Sequence, residues 1–203
     1  MIRNLLFDLG GVIMDLKRSE CVKALESLGM KDADTLIDPY TQRGPFLALE
    51  NGSITPARFR DEIRSHLPAP VTDKEIDDAF NRFLVGIPES RLDALSSLKK
   101  KYRVYMLSNT NPIMWDTRIA EEFRKQGHDV NYYFDGIVTS FEARCVKPAT
   151  EIFETVVRKF GVKPDETLFF DDSAKNIEAA SRLGFKTALV PEGIEFLTLI
   201  PQQ

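Results

Sequence analysis

Residues 2–11 read IRNLLFDLGG, in which a mostly apolar run is interrupted by Asp8 and followed by Gly10 and Gly11. A short apolar run closed by polar and glycine residues predicts a buried strand. The same pattern recurs in residues 104–107, 167–170 and 187–190, and more weakly in 134–139. Helical patterns occupy 88–101, 112–126, 148–160 and 174–183. Strands that alternate with helices predict an α/β fold with a doubly wound, Rossmann-like parallel sheet.

The interval 16–87 breaks this alternation. It contains helical patterns at 17–28, 56–66 and 73–84 and no convincing strand. The sequence therefore predicts a core domain formed by residues 1–15 and 88–203, with a small helical cap domain, residues 16–87, inserted after the first strand.

Composition excludes several classes of protein. The 203 residues carry 27 Lys and Arg against 31 Asp and Glu, a net charge of −4, which does not favour binding to nucleic acid. Two cysteines without metal-ligand spacing give no support to a disulfide framework or a zinc site. No apolar window is long enough to span a membrane. We expect a cytoplasmic protein with a small-molecule partner, and the sequence leaves the oligomeric state open.

Polar residues follow three of the predicted strands. Asp8 ends the first, Ser108 and Asn109 end the second, and Asp171 with Asp172 end a later one. Lys147 precedes the helical pattern between the last two. In a doubly wound sheet, ligands bind beyond the carboxyl ends of the strands, so we expect these side chains to converge at one edge.

Each residue alone has an ordinary structural explanation, such as a turn aspartate, a helix cap or a surface lysine. Together they are typical of phosphoryl transfer, in which a carboxylate attacking a phosphate dianion needs a divalent cation and donors for the phosphate oxygens. We predict Asp8 as nucleophile and metal ligand, with Asp172 completing the metal site. Ser108, Asn109 and Lys147 are predicted to hold the phosphate.

The two glycines after Asp8 are predicted to assist this site. Without a Cβ atom, Gly10 and Gly11 allow the backbone to approach the phosphate closely. Asp171 is included among the candidate metal ligands because adjacent carboxylates gain most from a shared cation.

Four motifs, in order, resemble those of the haloacid dehalogenase superfamily of aspartate-nucleophile phosphatases and related hydrolases. They are FDLGGV around Asp8, LSNTN around Ser108, VKPATEIF around Lys147 and FFDDSAKNI around Asp172. The resemblance covers nearly the whole chain and implies Mg²⁺ as cofactor, an aspartyl-phosphate intermediate, and a cap that closes over the site. The first two motifs are most similar to a subgroup that includes bacterial glucose-1-phosphate phosphatase.

One position departs from the family pattern. Most phosphatases of this superfamily have an acid/base aspartate two residues after the nucleophile, where this chain has Gly10. The Gly10 carbonyl could still bind Mg²⁺. The similar subgroup shares this gap, which implies that activity survives with water, Asp15 or a cap residue in place of the missing group. From Gly10 we predict that hydrolysis of the phospho-aspartate is slow relative to its formation.

The cap offers fewer signals. Tyr40, Gln42, Arg43 and Glu50 lie in a stretch that could overhang the site, and Arg43 is the natural candidate for a contact with phosphate or sugar. A hydrophobic seam of the cap is predicted from the apolar residues Phe46, Leu47, Leu49, Phe59 and Ile63.

These observations predict a Mg²⁺-dependent phosphomonoesterase acting on a small phosphorylated metabolite, plausibly a sugar phosphate. Three alternatives remain open at this point: a metal-independent dehalogenase-type hydrolase, a phosphotransferase or mutase, and a phosphate-ligand binding protein with little or no turnover. Paired carboxylates at Asp171 and Asp172 argue against the dehalogenase, since they would repel its carboxylate substrate.

Overall fold

The computed structural model describes residues 1–38 and 42–201. Its strands are β1 (Asn4–Phe7), β2 (Asp15–Leu16), β3 (Leu84–Gly86), β4 (Arg103–Ser108), β5 (Gly136–Thr139), β6 (Thr167–Asp171) and β7 (Lys186–Leu189). Its α-helices are α1 (Arg18–Ser27), α2 (Ala33–Leu36), α3 (Gly44–Glu50), α4 (Pro56–Ser65), α5 (Asp73–Asn81), α6 (Glu89–Leu98), α7 (Pro112–Met114), α8 (Ala120–Arg124), α9 (Val130–Tyr133), α10 (Ser140–Ala143), α11 (Thr150–Phe160) and α12 (Ala174–Arg182).

Five strands form one parallel sheet in the order β5-β4-β1-β6-β7. All five predicted strands are confirmed, with boundaries that differ by one or two residues. The central strand alternates between two buried clusters, because successive side chains point to opposite faces. Leu5 and Phe7 belong to one cluster, and Leu6 belongs to the other. Burial on both faces confirms the doubly wound α/β prediction.

Most predicted helices are also present, but the pattern at 112–126 is not one continuous helix. It divides into α7, a π-helical turn at Trp115–Ile119, and α8. The periodicity of apolar residues does not distinguish a local π-turn from α-helix, since both keep the same face buried. No helix among the described residues is both long and apolar enough to cross a bilayer.

The prediction that 16–87 contains no strand is wrong. Leu84–Gly86 pairs in antiparallel fashion with Asp15–Leu16 to form a two-stranded ribbon. Strands of two and three residues are too short to show alternation, and their pairing depends on contacts between distant parts of the chain. The ribbon lies at both ends of the inserted segment, near the predicted domain boundaries. The division into core and cap stays a prediction.

The inserted segment has its own aromatic centre. Phe46 of α3, Phe59 of α4 and Phe80 of α5 contact one another, with ring centroids 5.2–5.3 Å apart. The predicted seam is confirmed for Phe46, Leu49, Phe59 and Ile63, each at most 1% exposed, while Leu47 is only partly buried. This centre fixes the position of α3, whose last residue is Glu50.

We predict that Phe59→Ala lowers the free energy of unfolding by about 3–5 kcal/mol, the usual cost of emptying a buried phenylalanine site. Val85→Ala is the control, because Val85 is 50% exposed and should lose under about 0.5 kcal/mol. Urea denaturation monitored by circular dichroism measures both. Equal losses of unfolding free energy in the two variants would contradict the assignment of Phe59 to the aromatic centre of the inserted segment.

Candidate active site

Lys147 joins the ends of two strands. Its Nζ lies 2.8 Å from Asp8 Oδ1, just beyond β1, and 2.7 Å from Asp171 Oδ2, at the end of β6. The Lys147 side chain is 1% exposed. Burial alone would lower the pKa of this ammonium group, but the charges of Asp171 and Asp8 reverse the effect and raise it. Lys147 is therefore a fixed positive charge beside the predicted nucleophile.

Asp171 is fully buried, and both of its carboxylate oxygens have hydrogen-bond donors. Oδ2 accepts from Lys147, Oδ1 accepts from the Ser173 backbone nitrogen at 2.8 Å, and Asn176 Nδ2 lies within 3.1 Å of both oxygens. Such a carboxylate positions its neighbours. Direct metal ligation by Asp171 stays a prediction.

Asp8 is also buried, and its Oδ1 is occupied by the Leu9 backbone nitrogen at 2.7 Å as well as by Lys147. Its Oδ2 makes no hydrogen bond to another described residue. Burial raises the pKa of Asp8 well above its ordinary value, Asp171 and Asp172 raise it further, and Lys147 opposes them. A cation near the carboxylate would favour its ionised, nucleophilic form.

Asp172 completes a cluster of three carboxylates. Asp8, Asp171 and Asp172 each offer one oxygen, and these atoms lie within 4.8 Å of one another. Burial, followed by the charge of Asp171, raises the pKa of Asp172 to about 6, with Lys147 opposing. Three carboxylates at this spacing and one ammonium leave an excess of negative charge, which hard divalent cations with oxygen ligands neutralise.

Gly11 sets the position of Asp172. Gly11 has a φ of +72°, and a Cβ atom there would lie 2.2 Å from Asp172 Oδ2. Both conditions require glycine. The group that lies close to the Gly11 backbone is thus the Asp172 carboxylate. The predicted approach of the Gly11 backbone to phosphate stays a prediction.

Ser108, the last residue of β4, and Asn109, which follows it, have different environments. The Ser108 side chain is buried and makes no hydrogen bond to another described residue, so its hydroxyl is free for a ligand. Asn109 binds both backbone groups of Lys147, with Nδ2 donating to the carbonyl oxygen at 3.1 Å and Oδ1 accepting from the nitrogen at 2.8 Å. Asn109 therefore holds the Lys147 backbone in place.

A cavity between the core and the inserted segment opens onto these groups. The predicted site residues in its wall are Asp8, Gly10, Ser108, Asn109, Lys147 and Asp172. Gly11, Arg43 and Asp171 are not in the wall, and Arg43 is exposed. The predicted substrate contact of Arg43 stays a prediction, and Tyr40 lies outside the described residues.

The position of the missing acid/base group is filled by an apolar side chain. A Cβ atom at Gly10 would lie 2.9 Å from Leu16 Cδ1, on the ribbon. Asp15, one of the suggested substitutes, instead binds Arg91 Nη1 at 2.7 Å and is not in the cavity wall. Neither contact could be predicted from the sequence, because both depend on the ribbon.

Other wall residues were not predicted as site residues. The polar ones are Thr110, Asn111 and Asn176, and the apolar ones are Leu9, Met14, Leu16, Phe80, Phe83, Leu84, Met114 and Ile119. Asn176 stands in the FFDDSAKNI motif, which was the available signal. The apolar residues follow ordinary helix and strand patterns, so nothing in the sequence distinguishes them from core residues.

Glu50 and Gln42 form part of the wall on the side of the inserted segment. Burial raises the pKa of the Glu50 carboxyl group to about 8, although the charge of Lys147 acts in the opposite direction. Glu50 was within the stretch expected to overhang the site. The structure thus brings a carboxyl group of the inserted segment to the same cavity as the predicted nucleophile.

Residues 2–184 match the family model described as "haloacid dehalogenase-like hydrolase". The chain belongs to this family. Its haloacid dehalogenase-like core explains why the four motifs meet at one edge of the sheet.

Among curated relatives of this haloacid dehalogenase-like chain is D-ribitol-5-phosphate phosphatase of Bacteroides thetaiotaomicron, 38% identical over 97% of this chain and 95% of the relative. A HAD family enzyme of the same bacterium, solved with magnesium and inorganic phosphate, superposes with a TM-score of 0.93 at 40% identity, covering 99% of this chain and 100% of that one. L-2-haloacid dehalogenase of Xanthobacter autotrophicus shares the fold, with a TM-score of 0.61 and 21% identity over 94% of this chain and 78% of that one.

We predict that Gly11→Ala in this haloacid dehalogenase-like chain displaces Asp172 and weakens binding of divalent cations at least tenfold, because the new methyl group overlaps its carboxylate. Gly127→Ala is the matched control, since Gly127 has a similar φ of +78° with nothing within 4 Å of a new Cβ atom. Isothermal titration calorimetry with Mg²⁺ measures the affinities. An unchanged affinity in Gly11→Ala would refute this role of the glycine.

We also predict a pH-dependent contribution of Glu50 to stability. A carboxyl group whose pKa rises from 4.5 to about 8 on folding stabilises the folded state while protonated, and this stabilisation is lost as the pH rises through about 8. Relative to Glu50→Gln, the wild type should lose about 1 kcal/mol of unfolding free energy between about pH 7 and pH 9. Denaturation in EDTA at both values measures it, and a constant difference would show that Glu50 does not titrate in this range.

Proposed function

We propose that the protein is a Mg²⁺-dependent phosphomonoesterase that hydrolyses a small phosphorylated metabolite, with sugar and alditol phosphates as the favoured class. The observation that carries the proposal is the buried Asp8 carboxylate, which has one oxygen bound to Lys147, no hydrogen bond from another described residue to its second oxygen, and Asp172 in the same carboxylate cluster. The similarity to D-ribitol-5-phosphate phosphatase and to the enzyme solved with magnesium and inorganic phosphate supports the same proposal.

The carboxylate cluster fits Mg²⁺, because its donors are hard oxygen atoms from more than one strand end. Asp8 and Asp172 would hold the ion, with the Gly10 carbonyl as a further candidate ligand. When bound, Mg²⁺ neutralises negative charge on the phosphate and on the attacking carboxylate.

The chain's own residues would bind and attack the phosphate. Asp8 Oδ2 is the free oxygen for in-line attack on phosphorus, while Oδ1 is held by the Leu9 nitrogen and Lys147. Lys147 stabilises charge on the phosphoryl oxygens, and the free Ser108 hydroxyl donates to one of them. The bond between phosphorus and the ester oxygen breaks, the alcohol leaves with a proton taken from water, and Asp8 becomes an aspartyl-phosphate. Water then attacks this intermediate, which releases inorganic phosphate and restores the Asp8 carboxylate.

The second half of the reaction would lack the usual acid/base aspartate. Leu16 occupies the space beside Gly10, so no carboxylate reaches the attacking water from that position. A general base is worth about a hundred- to ten-thousand-fold in rate. We therefore propose that hydrolysis of the aspartyl-phosphate limits turnover.

The other candidates are less well supported. The dehalogenase shares only the fold at 21% identity, and a cluster of three carboxylates would repel a carboxylate substrate. Transfer of the phosphoryl group to a second sugar and binding without turnover are outcomes that the assay below distinguishes.

We expect Mg²⁺-dependent release of phosphate from sugar and alditol phosphates, loss of activity in EDTA, and at least a thousandfold loss in Asp8→Asn, because an amide cannot act as the nucleophile. A malachite green assay across a panel that includes an aryl phosphate measures this. Phosphate appearing on an added sugar would indicate a transferase. Binding of phosphate esters by the wild type without release would leave only a binding function.

Restoring the acid/base group should accelerate the limiting step. We expect Gly10→Asp combined with Leu16→Ala, which removes the atom facing the new side chain, to raise kcat by about tenfold or more. Leu16→Ala alone is the control. Rapid-quench kinetics should show a burst of released alcohol in the wild type and a smaller burst in the double variant. A linear wild-type time course would contradict slow hydrolysis.

A further inference from the structure

The cavity wall contains two residues of the inserted segment, Gln42 and Glu50, and each has a polar group with no hydrogen-bond partner among the described residues. Gln42 donates from Nε2 to the Asp38 carbonyl oxygen at 2.8 Å, which orients its Oε1 away from that contact. This Oε1 is buried and accepts no hydrogen bond from another described residue. An acceptor removed from water without a donor is costly, so a donor on a ligand is the expected partner.

The missing donor identifies which part of a substrate Gln42 faces. A phosphate dianion carries only acceptor oxygens, so it offers nothing to an amide oxygen. A hydroxyl group offers one donor and two acceptor positions. Gln42 is therefore suited to the alcohol part of a phosphate ester.

Glu50 is the second residue of this kind. Its carboxyl group makes no hydrogen bond to another described residue, although the residue lines the cavity. A protonated carboxyl group donates and accepts, while an ionised one only accepts, and both forms bind a hydroxyl group. The inference from Glu50 thus does not depend on its state of protonation.

The backbone around Glu50 is fixed to the core. Ser140 Oγ lies 2.7 Å from the Glu50 carbonyl oxygen and accepts a hydrogen bond from the Thr110 nitrogen at 2.9 Å. Close by, Gly52 approaches the core so closely that a Cβ atom would lie 2.2 Å from the Phe141 carbonyl oxygen. This anchoring holds the end of α3 beside β4 and the predicted phosphate ligand Ser108.

Gln42 precedes α3 and Glu50 is its last residue, and the buried Phe46 and Leu49 fix this helix in the inserted segment. The remaining cap wall is apolar, with Phe80, Phe83 and Leu84. Such a wall suits a ligand with hydroxyl groups on one side and carbon–hydrogen surface on the other.

We propose that Gln42 and Glu50 form a hydroxyl-binding pair that selects polyhydroxylated leaving groups. This inference rests on the proposed phosphatase function and specifies its substrate class. The pair contacts the alcohol part of the ester, whereas Lys147 and Ser108 contact the phosphate. Recognition of the alcohol and transfer of the phosphoryl group are therefore assigned to different residues. Substrates that differ only in their hydroxyl groups test the first role without changing the second.

The test compares a pentitol 5-phosphate with n-pentyl phosphate, which has the same carbon chain without the other hydroxyl groups. The wild type should favour the pentitol ester in kcat/KM by about 10- to 100-fold, the factor expected from one or two hydrogen bonds. Gln42→Leu and Glu50→Leu should each reduce this preference about tenfold, with n-pentyl phosphate changed less than threefold. Glu50→Gln keeps a donor and an acceptor and should retain most of the preference.

Three results would overturn the proposal. An equal loss with both esters in the leucine variants would assign Gln42 and Glu50 to structure or to the phosphate. A Glu50→Gln variant inactive on both esters would make Glu50 a proton-transfer group. An unchanged preference in all variants would place hydroxyl recognition elsewhere. Failure of the phosphatase proposal itself is distinguishable, because the wild type would then release phosphate from neither ester.

Discussion

A buried ammonium group, that of Lys147, is the interaction on which the arrangement of the site depends. A charge without access to water is tolerated only when it is paired, and Lys147 is paired with both Asp8 and Asp171. These carboxylates follow neighbouring strands, so the pairing connects the ends of β1 and β6. Asn109 extends the connection to β4 by binding the Lys147 backbone. Three loops are thereby held in one geometry.

The same cluster also explains the need for a cation. Three carboxylates and one ammonium group leave an excess of two negative charges, which a divalent ion balances. Burial raises the pKa values of Asp8 and Asp172, and the charges of neighbouring carboxylates raise them further. Gly11 permits the crowding, since any side chain there would displace Asp172. Asp171 contributes by fixing Lys147, and Asp8 keeps one oxygen free.

Much of this core could be predicted from sequence, because strands buried on both faces produce continuous apolar runs and their polar ends must meet at one edge. The ribbon could not be predicted, since two- and three-residue strands carry no periodic signal. Two contacts that depend on the ribbon could not be predicted either: Leu16 fills the space beside Gly10, and Asp15 binds Arg91. The sequence indicates only that Gln42 and Glu50 belong to a stretch that could overhang the site. That Gln42 Oε1 and the Glu50 carboxyl group lack a hydrogen-bond partner among the described residues depends on packing between segments far apart in the chain.

In the proposed mechanism, Asp8 attacks phosphorus and carries the phosphoryl group. The most direct measurement is acid quenching of the enzyme during turnover of an alditol phosphate, followed by proteolysis and mass spectrometry of the peptide that contains Asp8. We expect one added phosphoryl group on Asp8, whose formation requires Mg²⁺ and which mild base removes. A phosphoryl group on another residue, or turnover with no phosphorylated enzyme at any time point, would contradict it.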